Sequence, residues 1–418
     1  MSSIKAPPKP IFDLRKILLE ERDNKTYDIS KLGGNFPKAA PSYAVKDYEI
    51  AVNYLIKVSA SQDTFSTYRR DLERLHLWSW LVQRKSIQSL NSDDIDKALA
   101  FMQKPPETWV GLNGVNSGAR FKNIGGFRKP SEHWRPYVLP AGKKDTSKYR
   151  SSHVSLKAFI RCISAYYRYL AEEDVINKSP VRNKDLKKHL PKDKKRKILR
   201  ITKPQWDYVL RSAEKMAELN PHNHERTLFL VNALFGLHLR IIELTGSDNW
   251  VPRMSSFYED EHGWWFECFG KGAKEREVVV SKQMLDALKR YRKFRGFSGL
   301  PGPNDDTILI PNTRRRNSNE SDDYRDAIRS TRQIRALLET VFDNAHKEMK
   351  RKEGSDAAAK LKECTVHWLR HTSISESVKE RDITLVSDEV GHEDIGTTAG
   401  YVDHDRKEHQ KSGRNITY

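Results

Sequence analysis

The residues best suited to chemistry are concentrated near the end of the chain, in HWLRHTSISESVKERDITLVSDEVGHEDIGTTAGY, which runs from His367 to Tyr401. His367 and Arg370 are three residues apart, which places them on one face of a helix. The planar fork of arginine matches two phosphate oxygens, and histidine donates to an oxygen or transfers a proton near neutral pH. His392 follows Gly391, where a helix end or a tight turn would expose it. Together with Tyr401, nine residues later, this constellation favours a phosphate-binding site over a purely structural role for these side chains.

A metal site is the weaker interpretation of the same residues. His367 and His371 are four residues apart, a spacing that can suit zinc. However, no glutamate follows His367 as it does in H-E-x-x-H, and the charge of Arg370 would oppose a cation. The sequence therefore predicts neither a metal nor a cofactor.

The motifs of this stretch resemble those of the tyrosine recombinase (phage integrase) family. HWLRHT and VGHEDIGTTAGY are similar to the family motifs H-x-L-R-H, L-G-H and T-T-x-x-Y, with the same distance from His392 to Tyr401. Upstream, LHLRIIEL supplies the arginine and the acidic residue three positions later that the family has, as Arg240 and Glu243. FGKGAKEREVVV supplies Lys271 in the family form G-K-G-x-K-x-R. Five motifs in order make the resemblance specific over the catalytic half.

Two positions depart from the family pattern, and one segment is additional. His238 stands two residues before Arg240, where the family usually has glycine, which bears on the local backbone geometry. Val390 replaces the common leucine. The resemblance is weaker over residues 44–180, which look like the helical core-binding domain of the family, and residues 104–150 look like an insertion into it.

The resemblance implies a mechanism in which DNA strands are cleaved and rejoined through a covalent 3′-phosphotyrosine. Tyr401 is then the nucleophile, and His367 is its general base or hydrogen-bond partner. His392 donates to the phosphate oxygens, and Lys271 protonates the leaving 5′ oxygen. Glu243 is expected to orient an arginine or the local backbone. The predicted catalytic residues are Arg240, Lys271, His367, Arg370, His392 and Tyr401.

The composition favours a polyanionic partner. The chain has 418 residues and a formal net charge of +19, which suggests nucleic acid first, although a merely soluble basic protein is the simpler alternative. Hydrophobic residues make up 37%, enough for ordinary cores, and the length favours two or three domains. Three cysteines, far apart, indicate neither a disulfide framework nor a zinc cluster, and fit a reducing compartment.

The pattern along the chain predicts a mainly α fold with a small antiparallel β-sheet. We expect an N-terminal extension (1–40), a helical core-binding domain (41–181) with the insertion 104–150, a basic linker (182–200) and a catalytic domain (201–418). The linker has ten Lys or Arg against two Asp, and is either a solvated tether or a strap along phosphates. The resemblance implies that the two domains form a C-shaped clamp on duplex DNA.

Local patterns predict several elements within these domains. A short helix is expected around Ile11–Glu21, and GWWFECFGKGAKEREVVVS reads as two strands around a glycine-containing turn. TILIP favours a further strand. The aromatic and basic residues of 104–150 either contact DNA or pack a loop.

The leading functional interpretation is a site-specific recombinase of a bacterial mobile element, acting in integration, excision or resolution. The resemblance implies a homo-tetramer on two duplex DNA sites, with accessory DNA-bending or directionality proteins as possible partners. The alternatives are a type IB topoisomerase, which would relax supercoils as a monomer, an architectural DNA-binding protein, or a hydrolase. No membrane span or signal peptide is predicted, so the expected location is the bacterial cytoplasm, at the nucleoid when bound to DNA.

Overall fold

The structure divides into two compact units, Met1–Lys194 and Lys195–Tyr418. The computed structural model describes residues 6–28, 30–36, 40–58, 61–116, 119–125, 127–182, 199–246, 250–270, 275–312, 327–402 and 414. The predicted linker, 182–200, therefore lies mostly outside the described residues. Each unit has its own hydrophobic core.

The first unit is largely helical, as the sequence predicts. Its helices are α1 (Arg15–Asp23), α2 (Ser30–Gly33), α3 (Ser42–Val58), α4 (Gln62–Trp78), α5 (Ser92–Gln103) and α6 (His153–Glu172). Helix α5 begins with a capping box, since Asn91 accepts from the backbone N–H of Asp94 and the Asp94 carboxylate accepts from that of Asn91. Helix α6 begins at His153, because the Ser152 hydroxyl caps it by accepting from the backbone N–H of Ser155.

The N-terminal segment packs as part of this helical unit, whereas the sequence pattern predicts an extension over 1–40. Ile11, Phe12 and Leu18 are fully buried in the core of the unit. The buried carboxylate of Glu73 on α4 accepts from the backbone N–H groups of Ile11 and Phe12, at 2.8 and 3.2 Å. This long-range contact is invisible to local patterns.

Most aromatic side chains of the predicted insertion are used for packing. Short parallel strands β1 (Val110–Gly111) and β4 (Tyr137–Val138) pair, and β2 (Phe121–Ile124) forms an antiparallel hairpin with β3 (Phe127–Pro130). Trp109, Trp134 and Tyr137 are buried in the core of the first unit. Phe127 differs from them, because 73% of it is exposed.

The second unit is a helical domain with one small sheet. Its helices are α7 (Lys203–Leu219), α8 (Pro221–Gly236), α9 (Lys282–Phe294), α10 (Thr331–Glu353), α11 (Ser355–Lys362), α12 (Val366–Glu380), α13 (Ile383–Val390) and α14 (Ile395–Ala399). Helix α7 begins with a reciprocal cap between Thr202 and Gln205. The mainly α fold class is confirmed, and among the described residues no helix has the length and apolar character to cross a membrane.

The sheet of the second unit contains the two predicted strands and one more. β5 (Phe257–Asp260), β6 (Gly263–Phe269) and β7 (Glu275–Val279) are antiparallel, with β6 in the centre. The predicted strand at TILIP is wrong: Ile308 and Pro311 make only single bridges, and proline lacks the N–H that a continuing ladder needs. Alternate residues of β7 point inward, and this directs Arg276 toward the site described next.

Candidate active site

Helix α12 carries three of the polar side chains at the site. His367, Arg370 and His371 are three and four residues apart, so they share one helical face. Leu369, on the opposite side of the helix, is fully buried in the main core of the second unit, and Ile374, on the site side, is fully buried beside Tyr401. The apolar positions thus fix the helix and leave its polar face toward the site.

Arg370 is a buried cation that is held by backbone carbonyls. It is only 2% exposed, and its guanidinium donates to the carbonyl oxygens of His238 and, at 2.6 Å, Val390. Burial and the nearby positive charge of Arg240 lower the pKa of Arg370 to about 9. It therefore stays charged at neutral pH, in an orientation fixed by two separate segments.

His238 supplies one of these carbonyls from a left-handed backbone conformation. Its φ is +51°, a region that glycine adopts easily and other residues at some cost, which accounts for the family preference for glycine here. The ring compensates: Nδ1 lies 2.6 Å from Ser373 Oγ, and Nε2 lies 3.3 Å from Ser377 Oγ. The departure from the family pattern is therefore accommodated by two hydroxyls of α12.

Glu243 orients two further arginines from a fully buried position. Its carboxylate accepts from the backbone N–H of Arg240 at 2.7 Å and from the Arg240 side chain at 3.2 Å. The same carboxylate accepts from Arg276 on β7 at 2.6 Å, and Arg276 also donates to the Glu389 carbonyl oxygen. The predicted orienting role of Glu243 agrees with this geometry. Arg276, the last residue of the G-K-G-x-K-x-R pattern, was not among the predicted site residues.

His392 is placed by the turn that ends α13. Gly391 has a φ of +63°, and a Cβ there would lie 3.2 Å from Arg276 Cδ, so both the turn and the close approach favour glycine. His392 Nδ1 lies 2.8 Å from Thr398 Oγ1, and Thr398 donates to Ser387 at 3.1 Å. This chain of contacts joins the turn to α14 and fixes the imidazole.

Tyr401 lies directly after α14, with its ring inside the second unit. It is 6% exposed and packs with Ile374, Val386 and Val390. Its hydroxyl oxygen lies 2.6 Å from the Nδ1 of His371. Burial raises the pKa of Tyr401, while the charges of Arg370 and Arg240 act in the opposite direction.

The hydrogen-bond partner of Tyr401 differs from the prediction. The family resemblance implied that role for His367, but His371, one turn further along α12, makes the contact. His367 packs edge-on against His371, with ring centroids 4.3 Å apart. The sequence feature that could have identified this partner is His371 itself, the final histidine of HWLRHT, which was considered only as a zinc ligand.

The histidines of the site are held in their neutral form. Burial lowers the pKa of His371 and of His392 to about 4 each, and that of His367 in the same direction, with Arg370 contributing in all three cases. A neutral imidazole can accept a proton at one nitrogen and donate from the other. These groups are therefore suited to proton transfer and to donation toward an anion.

Five of the six predicted catalytic residues come together. They are Arg240, His367, Arg370, His392 and Tyr401. The sixth, Lys271, lies outside the described residues, although the strands before and after it are described. Of the three guanidinium groups among the described residues of the site, those of Arg240 and Arg276 contact the Glu243 carboxylate and that of Arg370 donates to backbone carbonyls, so the site has excess positive charge. Within the same ranges no group of three or more His, Cys, Asp or Glu could hold a metal ion.

Comparison with known proteins agrees with this arrangement. Residues 226–408 match the phage integrase family. The tyrosine recombinase XerA of Thermococcus kodakarensis is 24% identical over 268 residues, which are 62% of this chain and 76% of that protein. XerD of Rickettsia conorii is 25% identical over 59% of this chain and 72% of its own length.

Solved structures show the same fold at low identity. A XerH site-specific recombinase bound to a palindromic difH substrate, in a post-cleavage complex, aligns with a TM-score of 0.53 and 14% identity over 99% of both chains. The Tn1549 transposon integrase, in complex with a circular intermediate DNA, aligns with a TM-score of 0.51 and 13% identity over 90% of this chain and all of that one. Residues 226–408 of this chain thus form a domain of the phage integrase family, and the relatives that the chain resembles are tyrosine recombinases, enzymes that cleave and rejoin DNA strands.

Proposed function

We propose that this protein is a site-specific recombinase that acts through a covalent 3′-phosphotyrosine at Tyr401. The observation that carries the proposal is the cluster of Arg240 and Arg370 beside a buried tyrosine hydroxyl that contacts His371. Buried positive charge in excess of its carboxylate partners is costly unless an anion compensates it. A phosphodiester is an anion of suitable charge, and its phosphorus is the electrophile that a phenol oxygen can attack.

The arginines stabilise the charge that develops on phosphorus. In the pentacoordinate transition state, negative charge accumulates on the non-bridging oxygens, where Arg240 and Arg370 donate. His392 donates to the same oxygens. Because Glu243 and the two backbone carbonyls already fix these guanidinium groups, little reorganisation accompanies the reaction.

Proton transfer accompanies both bond changes. The Tyr401 oxygen forms a bond to phosphorus as its proton passes to the unprotonated Nδ1 of His371, and the bond from phosphorus to the 5′ oxygen breaks. Lys271 gives its proton to that leaving oxygen, producing a free 5′-hydroxyl. Attack by a 5′-hydroxyl on the phosphotyrosine reverses each step, so no external energy source is consumed.

The biological role we propose is integration, excision or resolution of a mobile genetic element. The Tn1549 transposon integrase, which shares the fold, supports this choice by analogy. We further propose that four copies act together on two duplex sites, because exchange joins four DNA ends, and that accessory DNA-bending or directionality proteins assist. The bacterial cytoplasm, at the nucleoid, is the proposed location.

Recovery of covalent adducts from expressing cells tests this function. Denaturing precipitation of protein-linked DNA, followed by sequencing of the attached ends, should return one short sequence. Two copies of that sequence on a plasmid should then yield inversion or deletion products with the wild-type protein.

Other outcomes favour the alternative functions. Adducts spread over many sequences, with relaxation of supercoiled plasmid and no exchange, would indicate a type IB topoisomerase. Binding without any adduct would indicate an architectural protein, and free phosphate ends would indicate a hydrolase.

A further inference from the structure

The hairpin of β2 and β3 presents one face whose side chains are exposed. Lys122 pairs directly with Lys129, and Ile124 pairs with Phe127, on either side of a turn where Gly125 has a φ of +62°. Residues two apart along a strand, and those directly opposite, lie on the same face of a sheet. The four side chains therefore form one surface, called here the hairpin face.

The opposite face of the hairpin is anchored to the first unit. Phe121 is buried, and the Arg128 guanidinium lies over its ring at 5.8 Å from the centroid. Arg128 also donates to the carboxylate of the buried Asp13, with a distance of 2.9 Å for its Nε. Just before β2, Arg120 donates to Glu73. These contacts fix the orientation of the hairpin on its unit.

With nothing bound to it, the hairpin face is expected to destabilise the folded protein. Like charges directly opposite each other in a sheet are destabilising, and among the described residues neither Lys122 nor Lys129 forms an ion pair. At the turn, Ile124 is 52% exposed and Phe127 is 73% exposed. A basic pair behind an exposed apolar tip is the composition of proteins that neutralise phosphates and insert a wedge into the minor groove.

We propose that the hairpin face is a DNA-contacting surface of the first unit. Lys122 and Lys129 neutralise phosphates, and Phe127, assisted by Ile124, inserts against a base step and promotes bending of the duplex. The inference rests on the proposed function, because it assumes a duplex DNA substrate. Duplex DNA fits better than a protein partner, since two apolar side chains are few for a stable protein interface and a lysine pair favours a polyanion.

The lysine pair is tested by the salt dependence of binding. The full-length Lys122→Ala/Lys129→Ala variant and the wild type are titrated with a fluorescent 40-base-pair duplex of arbitrary sequence at several salt concentrations. Each lost phosphate contact should reduce the slope of log affinity against log salt by about 0.9, so a reduction of about 2 is expected. The control is Lys143→Ala/Lys144→Ala, an exposed lysine pair in the same segment outside the hairpin, which should change the slope less.

The apolar tip is tested by a change that leaves charge unaltered. Phe127→Ser should weaken duplex binding by about tenfold without changing the salt slope, and should reduce bending measured by energy transfer between dyes at the duplex ends. Val154→Ser is the matched control, because Val154 is an exposed apolar residue, 57% accessible, on α6. Since Phe127 packs little in the fold, the variant should unfold at the wild-type temperature.

Several outcomes separate this proposal from the recombinase function. Unchanged affinity, slope and bending in both hairpin variants, with the Tyr401 adduct still formed, would overturn the hairpin proposal alone. Equal slopes in the hairpin and control lysine variants would overturn it as well, as would a loss of self-association without any effect on duplex binding. Failure of the wild type itself to bind duplex or form adducts would overturn the proposed function.

Discussion

At the scale of single residues, the buried charge of Arg370 accounts for an unusual backbone conformation. A guanidinium that is 2% exposed needs acceptors inside the protein, and the His238 carbonyl is one of them. The left-handed φ of His238 accompanies this arrangement, and the ring contacts with Ser373 and Ser377 hold it in place. His238 is thus a positioning residue for Arg370.

Two substitutions at position 238 should separate the backbone from the ring. His238→Gly keeps the left-handed turn without steric cost, so Arg370 should stay aligned and adduct formation should remain near the wild-type level. His238→Ala keeps the strained backbone, removes the ring contacts with Ser373 and Ser377 and opens a cavity, which should cost about 2–4 kcal/mol of unfolding free energy. Urea denaturation and adduct yield are measured for both. An equal loss of adduct yield in the Gly and Ala variants would mean that the ring, rather than the left-handed turn, aligns Arg370.

Stability should fall in mild acid because of the same histidine. Burial, with the charge of Arg370, lowers the folded-state pKa of His238 to about 3, against about 6.5 in an unfolded chain. The unfolded state then binds more protons than the folded state below about pH 6.5. The contribution of His238 to the unfolding free energy is therefore fully present above that pH and is lost as the pH falls toward 3. His238 alone should account for about 2 kcal/mol between pH 7 and pH 5. Urea denaturation at the two pH values measures the loss, and a His238→Gly variant with the full wild-type difference would contradict this assignment.

The sequence identifies the site residues but not all their contacts. Motif order is enough to predict Arg240, Arg370, His392 and Tyr401 as one group, and the structure brings them together. The partner of Tyr401 was harder to predict, because two histidines share one face of α12. Which of them meets the hydroxyl depends on where α14 places Tyr401, thirty residues after His371.

At the scale of elements, periodicity predicts long helices and the central hairpin well. It fails where pairing depends on distant segments: β5 was missed, and the predicted TILIP strand forms only single bridges. The N-terminal segment shows the same limit, since its buried position depends on Glu73 in α4. Local sequence does not encode such contacts.

We propose that the segment between β6 and β7 contains the general acid, Lys271. Lys271→Ala should cleave normal DNA about a hundredfold or more slowly, because an alkoxide leaves poorly without a proton. A substrate with sulfur at the 5′-bridging position should be cleaved at nearly the wild-type rate, since a thiol has a pKa of about 8.5 against roughly 16 for a water-like hydroxyl. Single-turnover cleavage of both substrates measures the rescue.

Two control variants show whether the slow reaction of Lys271→Ala reflects a lost proton donor rather than lost positive charge, and whether Lys271 is the right lysine. Arg370→Ala should be slow with either leaving group, because its charge stabilises the phosphate oxygens in both reactions. Lys274→Ala is the second control, because Lys274 is only three residues after Lys271 in the sequence. If sulfur restores Lys274→Ala and leaves Lys271→Ala slow, then Lys274 is the acid.

At the scale of the whole molecule, the formal charge of +19 should appear as a steep salt dependence of DNA binding. If about six or more phosphate contacts form, affinity should fall roughly a thousandfold or more between low and moderate salt. Neutralising Lys194, Lys195, Arg196 and Lys197 in the linker should reduce the slope, as measured by fluorescence titration. An unchanged slope would show that the linker is a solvated tether instead.

The central claim is that Tyr401 forms the covalent bond to DNA. Wild-type protein and Tyr401→Phe are expressed in parallel, protein-linked DNA is isolated under denaturing conditions and digested with nuclease, and the remaining peptides are analysed by mass spectrometry. The substitution removes one oxygen and little packing volume, so the variant should fold and bind duplex DNA. We expect a nucleotide on the Tyr401 peptide of the wild type and no adduct in the variant. A wild-type yield of adduct from Tyr401→Phe, or a nucleotide on another residue, would contradict the assignment.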